Sequence, residues 1–385
     1  MDPPEPLRTD GSNAFARHSM QVRVPRIARE VIERGKYPAS VVRDVERLAS
    51  DLENDAPVPP PRAPAADVGD WTAAHAEHAG ETWLGTQWFY AELAFYRELA
   101  RCCRFWETGR DPFEAIKEEE LGGERPWERL RLAVAARGSR EERLLALLDD
   151  ALWGNRVDLS YAIAATRVRT DGDLIVDERA AAVLRLARAG ADVHVVVDNT
   201  GTELALDLAL VAAVLEDPAS RATVHVKLEP VFVSDAMARD VWRVIDRMRE
   251  GQADVRRLGE SLVAHFDEGR LRIAPDAFWS GPRFLRRAPA HIAHAFRSAS
   301  LVVFKGDANY RRVVGDALWP ASAPFAAACS YLGAPLVCLR TMKSDPILGL
   351  PQGLAEHLDR ADPTWRIDAK RGVIQTWSPG SPSAA

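Results

Sequence analysis

The stretch ADVHVVVDNTGTELALDL, residues 191–208, decides the fold of this chain. It begins with an apolar, mostly β-branched run that ends at Asp198 and Asn199, and it continues with residues typical of a helix. A continuous apolar strand followed directly by a helix is typical of a parallel sheet that is covered on both faces. The stretch therefore predicts an α/β fold with polar residues at the carboxyl end of a buried strand.

Three further runs have the same character and alternate with helical patterns. They are ATVHVKLEP at 222–230, LVVFKGD at 301–307 and APLVCLRT at 334–341. Together with the first run they predict a three-layer α/β/α sandwich with a mostly parallel sheet, which we assign to residues 151–378. The polar residues 379–385 are predicted to be a disordered tail.

The first part of the chain, residues 1–150, has no comparable strand and predicts an all-helical N-terminal domain. Pro38 is expected to divide an early helical stretch in two. A proline-rich loop is predicted near residues 57–64, before a long aromatic helix that begins around WFYAELAFYRE.

Composition limits the function classes. The 385 residues carry a net charge of −6, which argues against nucleic acid as the main partner. Neither a signal peptide nor an apolar run long enough to span a membrane is apparent, so we expect a cytoplasmic protein with no membrane partner. The four cysteines form no CxxC pair and fit a reducing compartment.

Ligands of open α/β sheets bind beyond the carboxyl ends of the strands, so the polar residues there are candidates for chemistry. Asp198 and Asn199 follow one strand and Asp235 follows another. Their side-chain oxygens are hard ligands suited to Mg²⁺, Mn²⁺ or similar ions. Each could equally serve a turn or a helix cap. Taken together, the three predict a site for one divalent metal ion, with open positions for water and a phosphate oxygen.

The two later strand ends supply a different set of side chains. Asp307, Asn309, Tyr310 and Arg311 follow one strand, and Arg340 and Lys343 follow the other. Asp307 could accept hydrogen bonds from substrate hydroxyls, while the three cations could neutralise a phosphate dianion. The alternative is that both segments are solvated turns.

Several common catalytic signatures are absent from the sequence. It has no GxGxxG dinucleotide fingerprint, no Walker loop and no GxSxG elbow. The His75–His78 and His291–His294 pairs lack the HExxH spacing, so we interpret them as surface or helix-packing histidines.

The four strand ends resemble the domain-of-unknown-function-89 family, the metal-dependent damage-control phosphatases, and in particular its acidic-residue methyltransferase-like branch (subfamily III). The segments that carry the resemblance are LWGNRVDLS, VVVDNTGTELALDL, HVKLEPVFVSD, FKGDANYRRVVGD and LRTMK. The last of them fits an Arg-Thr-x-Lys signature at Arg340, Thr341 and Lys343. Thr200 and Thr202 depart from the family pattern, and the first eighty or so residues show little resemblance.

The resemblance implies that Asp198, Asn199 and Asp235 bind Mn²⁺, Co²⁺ or Ni²⁺, with Mg²⁺ as a further possibility. It implies substrate contacts by Glu203, by the Asp307-to-Arg311 loop and by Lys343. The implied activity is hydrolysis of a small phosphorylated metabolite, for example a sugar phosphate such as fructose 1-phosphate. Two alternatives stay open: protein carboxyl methyl transfer from S-adenosylmethionine, and non-catalytic sensing of a phosphometabolite. The oligomeric state is left open.

Overall fold

Side-chain alternation along strand β2 (Asp192–Val196) explains the layered architecture of the α/β region. The computed structural model describes residues 3–154 and 173–380. Val193 and Val195 pack into an apolar core on one face of the sheet, whereas Val196 packs into a second core on the other face. Because successive side chains of a strand point to opposite faces, one apolar strand contributes side chains to both cores. This accounts for the unbroken apolar run in the sequence.

The sheet has seven strands in the described residues and is mostly parallel, as predicted. Besides β2, the strands are β1 (Leu174–Asp177), β3 (Arg221–Lys227), β4 (Leu271–Asp276), β5 (Leu301–Lys305), β6 (Leu336–Thr341) and β7 (Gly372–Trp377). Their order in the sheet is β1-β7-β6-β5-β2-β3-β4, and β7 runs antiparallel to β6 but parallel to β1. Four of the strands correspond to the four apolar runs, while β1, β4 and β7 were not predicted.

Helices cover both faces of the sheet, which confirms the predicted three-layer α/β/α sandwich. The first face carries α7 (Glu114–Gly122), α8 (Arg125–Val134), α9 (Arg140–Trp153), α10 (Arg179–Leu186), α11 (Gly201–Leu215), α12 (Ala238–Glu250) and α13 (Ala253–Asp267). The second face carries α14 (Ala277–Ser280), α15 (Ala290–Ser298), α16 (Gly306–Val314), α17 (Phe325–Cys329), α18 (Leu354–Ala361) and the 3₁₀ turns Leu285–Arg287 and Ser330–Leu332.

The N-terminal region is helical, as predicted, and has its own apolar core. Its helices are α1 (Ala14–His18), α2 (Val24–Gly35), α3 (Ala39–Glu53), α4 (Val68–Ala76), α5 (Trp88–Cys102) and α6 (Phe105–Thr108), with a π-helical turn at Ser19–Arg23. Pro38 separates α2 from α3, and residues 57–64 contain no helix, as expected.

Along the chain, the change from the N-terminal core to the core of the sheet comes before residue 150. Leu121 and the buried residues of α8 and α9 pack into the core of the sheet rather than into the N-terminal core. The N-terminal core in turn includes Val231, from the segment that follows β3. The helical region is therefore packed against the carboxyl end of the sheet, where the candidate residues lie.

Within the described residues, no helix is both long enough and apolar enough to cross a bilayer. The predicted tail is described only for residues 379–380.

Candidate functional site

The segments that follow β2 and β3 meet in a short antiparallel pairing. Asn199 and Asp235 form an isolated bridge, in which the Thr200 amide donates to the Ser234 carbonyl at 2.7 Å and the Ala236 amide donates to the Asp198 carbonyl at 2.8 Å. Because β2 and β3 are parallel neighbours, their carboxyl ends leave the sheet at one edge. The structure thus brings the three predicted metal ligands together.

Asp198 is a buried carboxylate placed close to the backbone of α16. Gly306 begins that helix with φ +81°, and a Cβ at this position would overlap the Asp198 carboxylate. Glycine is therefore needed both for the backbone conformation and for the space. Burial, followed by the negative charges of Asp235 and Glu203, raises the pKa of Asp198 well above its usual range, while Lys227 and Lys343 oppose the rise.

Asp235 is held from two sides by buried lysines. The Lys227 ammonium lies 3.0 Å from its Oδ2, and the Lys117 ammonium donates to its main-chain carbonyl at 2.9 Å. Burial raises the pKa of Asp235, and the two lysines only partly offset this effect. Its carboxylate therefore also favours a nearby positive charge.

Asn199 is oriented by hydrogen bonds to both parts of its amide. Its Nδ2 donates to Glu203 Oε2 at 2.9 Å and to Asp198 Oδ2 at 3.3 Å, whereas its Oδ1 accepts from the Ser234 hydroxyl at 2.6 Å. The amide nitrogen thus faces the carboxylates, and the oxygen remains the group that could bind a cation.

Glu203 lies in the first turn of α11 and belongs to a buried ionic network. The Lys305 ammonium lies 2.9 Å from Glu203 Oε1 and 2.9 Å from Asp207 Oδ1, and it donates to the Ala151 carbonyl at 2.6 Å. Burial raises the pKa of Asp207 to about 7. Through these contacts Lys305 fixes Glu203, and Glu203 fixes the Asn199 amide. We call Asp198, Glu203 and Asp235 the carboxylate cluster.

The residues that follow β5 form the first turn and body of α16, not the predicted loop. Asp307 Oδ1 accepts from Arg340 Nε at 2.7 Å and from the Lys343 amide at 3.1 Å, and its Oδ2 accepts from the Ser344 hydroxyl at 2.7 Å. Although burial alone would raise it, the pKa of Asp307 is lowered by Arg340 and Arg311. Asp307 is thus bound chiefly to neighbouring protein groups.

Arg311 is buried and bound to two carboxylates. Its guanidinium lies 2.6 Å from Glu92 Oε2 and 2.7 Å from Asp316 Oδ1, and its Cζ is 3.7 Å from the centroid of the Trp88 ring. Like Arg340, it is directed at protein partners rather than at open solvent. We call Asp307, Arg311 and Arg340 the arginine cluster.

The remaining predicted contacts divide between the two clusters. Asn309 is buried and donates from Nδ2 to the Val197 and Lys305 carbonyls at 3.1 and 2.8 Å. Tyr310 is fully buried and lies beneath Arg340, whose Cζ is 4.3 Å from its ring centroid. Lys343 is half-buried, and its charge lowers the pKa of Asp198.

The donor set fits a divalent cation. Two carboxylates and one amide oxygen supply hard oxygen ligands. The pKa of Asp198 is raised by burial and by the negative charges of Asp235 and Glu203, and a bound cation would offset those charges. In the described residues, no group of three or more His, Cys, Asp or Glu side chains is placed to hold a metal. The proposed set contains only two such side chains, Asp198 and Asp235, because its third ligand is the amide of Asn199. Three protein ligands leave coordination positions for water and substrate.

Several site residues were missed at the sequence level. Lys227 and Lys305 each end an otherwise apolar strand, which is a signal that could have been used. Lys117 lies in a charged helix where nothing distinguishes it from solvated lysines. Glu120 was also missed: helix α11 begins at Gly201, and its Thr202 amide donates to the Glu120 carboxylate at 2.9 Å.

One predicted segment is only partly described. Trp153 is buried against Gly372 of β7. Asn155 and Asp158, in the segment LWGNRVDLS that carries part of the resemblance, lie outside the described residues.

Comparisons with known proteins agree with the fold and the motifs. A family model described as the damage-control phosphatase ARMT1-like domain matches residues 19–358. Damage-control phosphatase ARMT1 of Xenopus laevis is 26% identical, with 97% of this chain and 99% of that protein aligned. The Rattus norvegicus protein of the same name is 28% identical over 86% of this chain and 85% of its own length. A crystal structure of a DUF89 family protein from Pyrococcus horikoshii superposes with a TM-score of 0.51 at 12% identity, covering 94% of this chain and 98% of that one.

Proposed function

Because this chain belongs to the family of damage-control phosphatase ARMT1-like domains, we propose that it is a divalent-metal-dependent phosphomonoesterase. The substrate is a small phosphorylated metabolite, a sugar phosphate such as fructose 1-phosphate. The observation that carries the proposal is the pairing of Asn199 with Asp235, which places two buried carboxylates and an amide at one edge of the sheet.

Asp198, Asn199 and Asp235 would hold Mn²⁺, Co²⁺, Ni²⁺ or Mg²⁺. A metal ion in this position supplies Lewis-acid polarisation of a phosphoryl oxygen. The protein's own part is to hold the ligands in place. Lys305 fixes Glu203 at 2.9 Å, and Glu203 keeps the Asn199 amide turned so that its oxygen is available.

The half-buried Lys343 is the cation best placed to attract the substrate phosphate. Its charge lowers the pKa of Asp198, which supports a position close to the proposed metal ligands. Arg340 supports Lys343 indirectly, because Asp307 accepts hydrogen bonds from both the Arg340 side chain and the Lys343 amide. We assign Arg311 to the support of α16, since its guanidinium is already bound by Glu92 and Asp316.

The test is phosphate release by the purified protein from p-nitrophenyl phosphate and from fructose 1-phosphate. Each substrate is assayed with Mn²⁺, Co²⁺, Ni²⁺ or Mg²⁺ and after treatment with EDTA. We expect turnover that requires a metal ion and is lost in the chelated protein. Turnover at the same rate with and without EDTA would overturn the metal-dependent assignment, and absence of phosphate release with every metal would overturn the phosphatase.

A further inference from the structure

Helix α7, from the N-terminal half of the chain, contacts both segments that carry the proposed metal ligands. Lys117 and Glu120 are three residues apart, so they lie on one face of this helix. Lys117 reaches the Asp235 segment, and Glu120 reaches the start of α11, just beyond Asn199. One turn of one helix therefore spans the whole pairing.

The Lys117 side chain is buried, and its ammonium has three acceptors within hydrogen-bond distance. Its ammonium is 1% exposed and lies 2.9 Å from Asp111 Oδ2, 2.8 Å from Asp240 Oδ2 and 2.9 Å from the Asp235 carbonyl. Asp240 also accepts from the Met237 amide at 2.9 Å. The ammonium thus joins α7 to the main chain on both sides of Ala236, and two carboxylates compensate its charge.

The Glu120 contact replaces a cap that the local sequence does not provide. Thr200 is the N-cap residue of α11, but its side chain makes no capping hydrogen bond. The Glu120 carboxylate instead accepts the Thr202 amide at 2.9 Å and fills the space beside Gly201, where a Cβ would overlap it. A carboxylate at a helix N-terminus is stabilised by the helix dipole as well as by the hydrogen bond.

We infer that Lys117 and Glu120 are positioning residues: α7 sets the spacing between the Asp198–Asn199 segment and the Asp235 segment. Helix α7, which precedes every described strand in the chain, is then part of the site rather than an accessory to it. That this spacing governs metal affinity rests on the proposed function, whereas the positioning itself does not.

The first experiment measures hydrogen–deuterium exchange in the metal-free protein for Glu120→Ala, Glu120→Gln and the control Glu119→Gln. Glu119 lies on the same helix, but its side chain is 60% exposed and pairs with Arg34. We expect Glu120→Ala to speed exchange of the Thr200, Thr202 and Ala236 amides by about tenfold, the loss of one charge-assisted hydrogen bond. Glu120→Gln keeps an acceptor oxygen and should restore most of the protection.

The second experiment measures the Kd for Mn²⁺ by calorimetry. We expect Glu120→Ala to weaken binding by about tenfold, the lower end of the effects of outer-shell contacts, with Glu119→Gln unchanged. Lys117→Met should weaken it further if the protein folds, and Glu120→Ala decides the matter if it does not. Exchange that is unaltered in Glu120→Ala, or altered only at Thr202, would overturn the positioning role. A wild-type protein that binds no metal would instead overturn the proposed function, and the exchange result would still stand.

Discussion

The carboxylate cluster and the arginine cluster arise from the same sequence signal but differ in how their charges are balanced. Both consist of buried polar residues at or beyond the carboxyl ends of apolar strands. In the arginine cluster each charge has an opposite charge at hydrogen-bond distance, as with Arg340 and Asp307 at 2.7 Å. In the carboxylate cluster Glu203 and Asp235 also have an ammonium within 3.0 Å. The pKa of Asp198 is nevertheless raised by burial and then by those two acids, and Lys227 and Lys343 only oppose that rise.

Charge balance therefore distinguishes a buried polar cluster that binds a ligand from one that only contacts the protein. A balanced set needs no further counter-charge, because each buried charge is paired and hydrogen-bonded. A set with excess charge of one sign costs stability until a counter-ion arrives, and such sets are typical of functional sites. Matched substitutions in the two clusters should therefore change stability in opposite directions.

The largest effect is expected for Asp198→Asn, which removes a charged ligand of the proposed metal ion. Phosphatase kcat/KM should fall by about 1000-fold or more, beyond the loss seen for outer-shell groups. The free energy of unfolding of the metal-free protein, measured in urea, should be unchanged or higher, because one unfavourable buried charge is gone. A variant that loses activity only because it unfolds would contradict this contrast.

The same change in the other cluster, Asp307→Asn, should lower stability. It leaves the Arg340 guanidinium buried without its carboxylate partner. Breaking a buried ion pair in this way costs about 3 kcal/mol or more, which urea unfolding would detect. If Asp307→Asn proved as stable as the wild type, the arginine cluster would not be a self-balanced set.

A smaller change is expected for Glu203→Gln, which tests the orientation of Asn199. An uncharged side chain pairs less well with Lys305 and no longer dictates which end of the Asn199 amide faces it. The Kd for Mn²⁺ should rise by about 10- to 100-fold, as for other groups that orient metal ligands. Glu216→Gln is the control, since Glu216 lies at the opposite end of α11. Equal Kd values for the two variants would show that Glu203 does not orient the ligand.

The smallest effect is expected for Glu229, a buried carboxylate that has both an acid, Asp67, and a cation, Arg97, beside it. Burial, and then Asp67, raise its pKa to about 7, although Arg97 and the Trp106 indole oppose the rise. The folded state therefore binds the proton more tightly than the unfolded state, so stability falls as the pH rises through 7. Between pH 6 and pH 7.5 the wild type should lose about 1 kcal/mol relative to Glu229→Gln. Parallel pH profiles of unfolding for the two proteins would contradict the raised pKa.

The layered fold could be predicted because β2 and its neighbours are buried on both faces and therefore read as unbroken apolar runs. Of the strands that were missed, β1 and β4 lack that property. In β4, side chains such as Arg272 are exposed at the edge of the sheet, and β1 is only partly buried. The antiparallel direction of β7 depends on contacts far away in the sequence.

At the site, the sequence located the polar residues but not their partners. Asp198, Asn199 and Asp235 follow strands that are neighbours in the sheet, so their meeting could be predicted. Whether Arg311 faces a ligand or a carboxylate depends on Glu92, more than two hundred residues earlier, and no local pattern reveals it. The same applies to Glu120 at the start of α11.

The position of β7 also has a consequence for how the protein is made. This strand lies between β1 and β6, although residues 372–377 are synthesised after all the other described strands. Among those strands, β1 pairs only with β7, so β1 has no strand partner until β7 has been synthesised. The nascent chain can assemble the sheet from β2 to β6 first and admit β1 at the end. Until then the edge of β6 that β7 will occupy stays unpaired, and such an edge can pair with another chain.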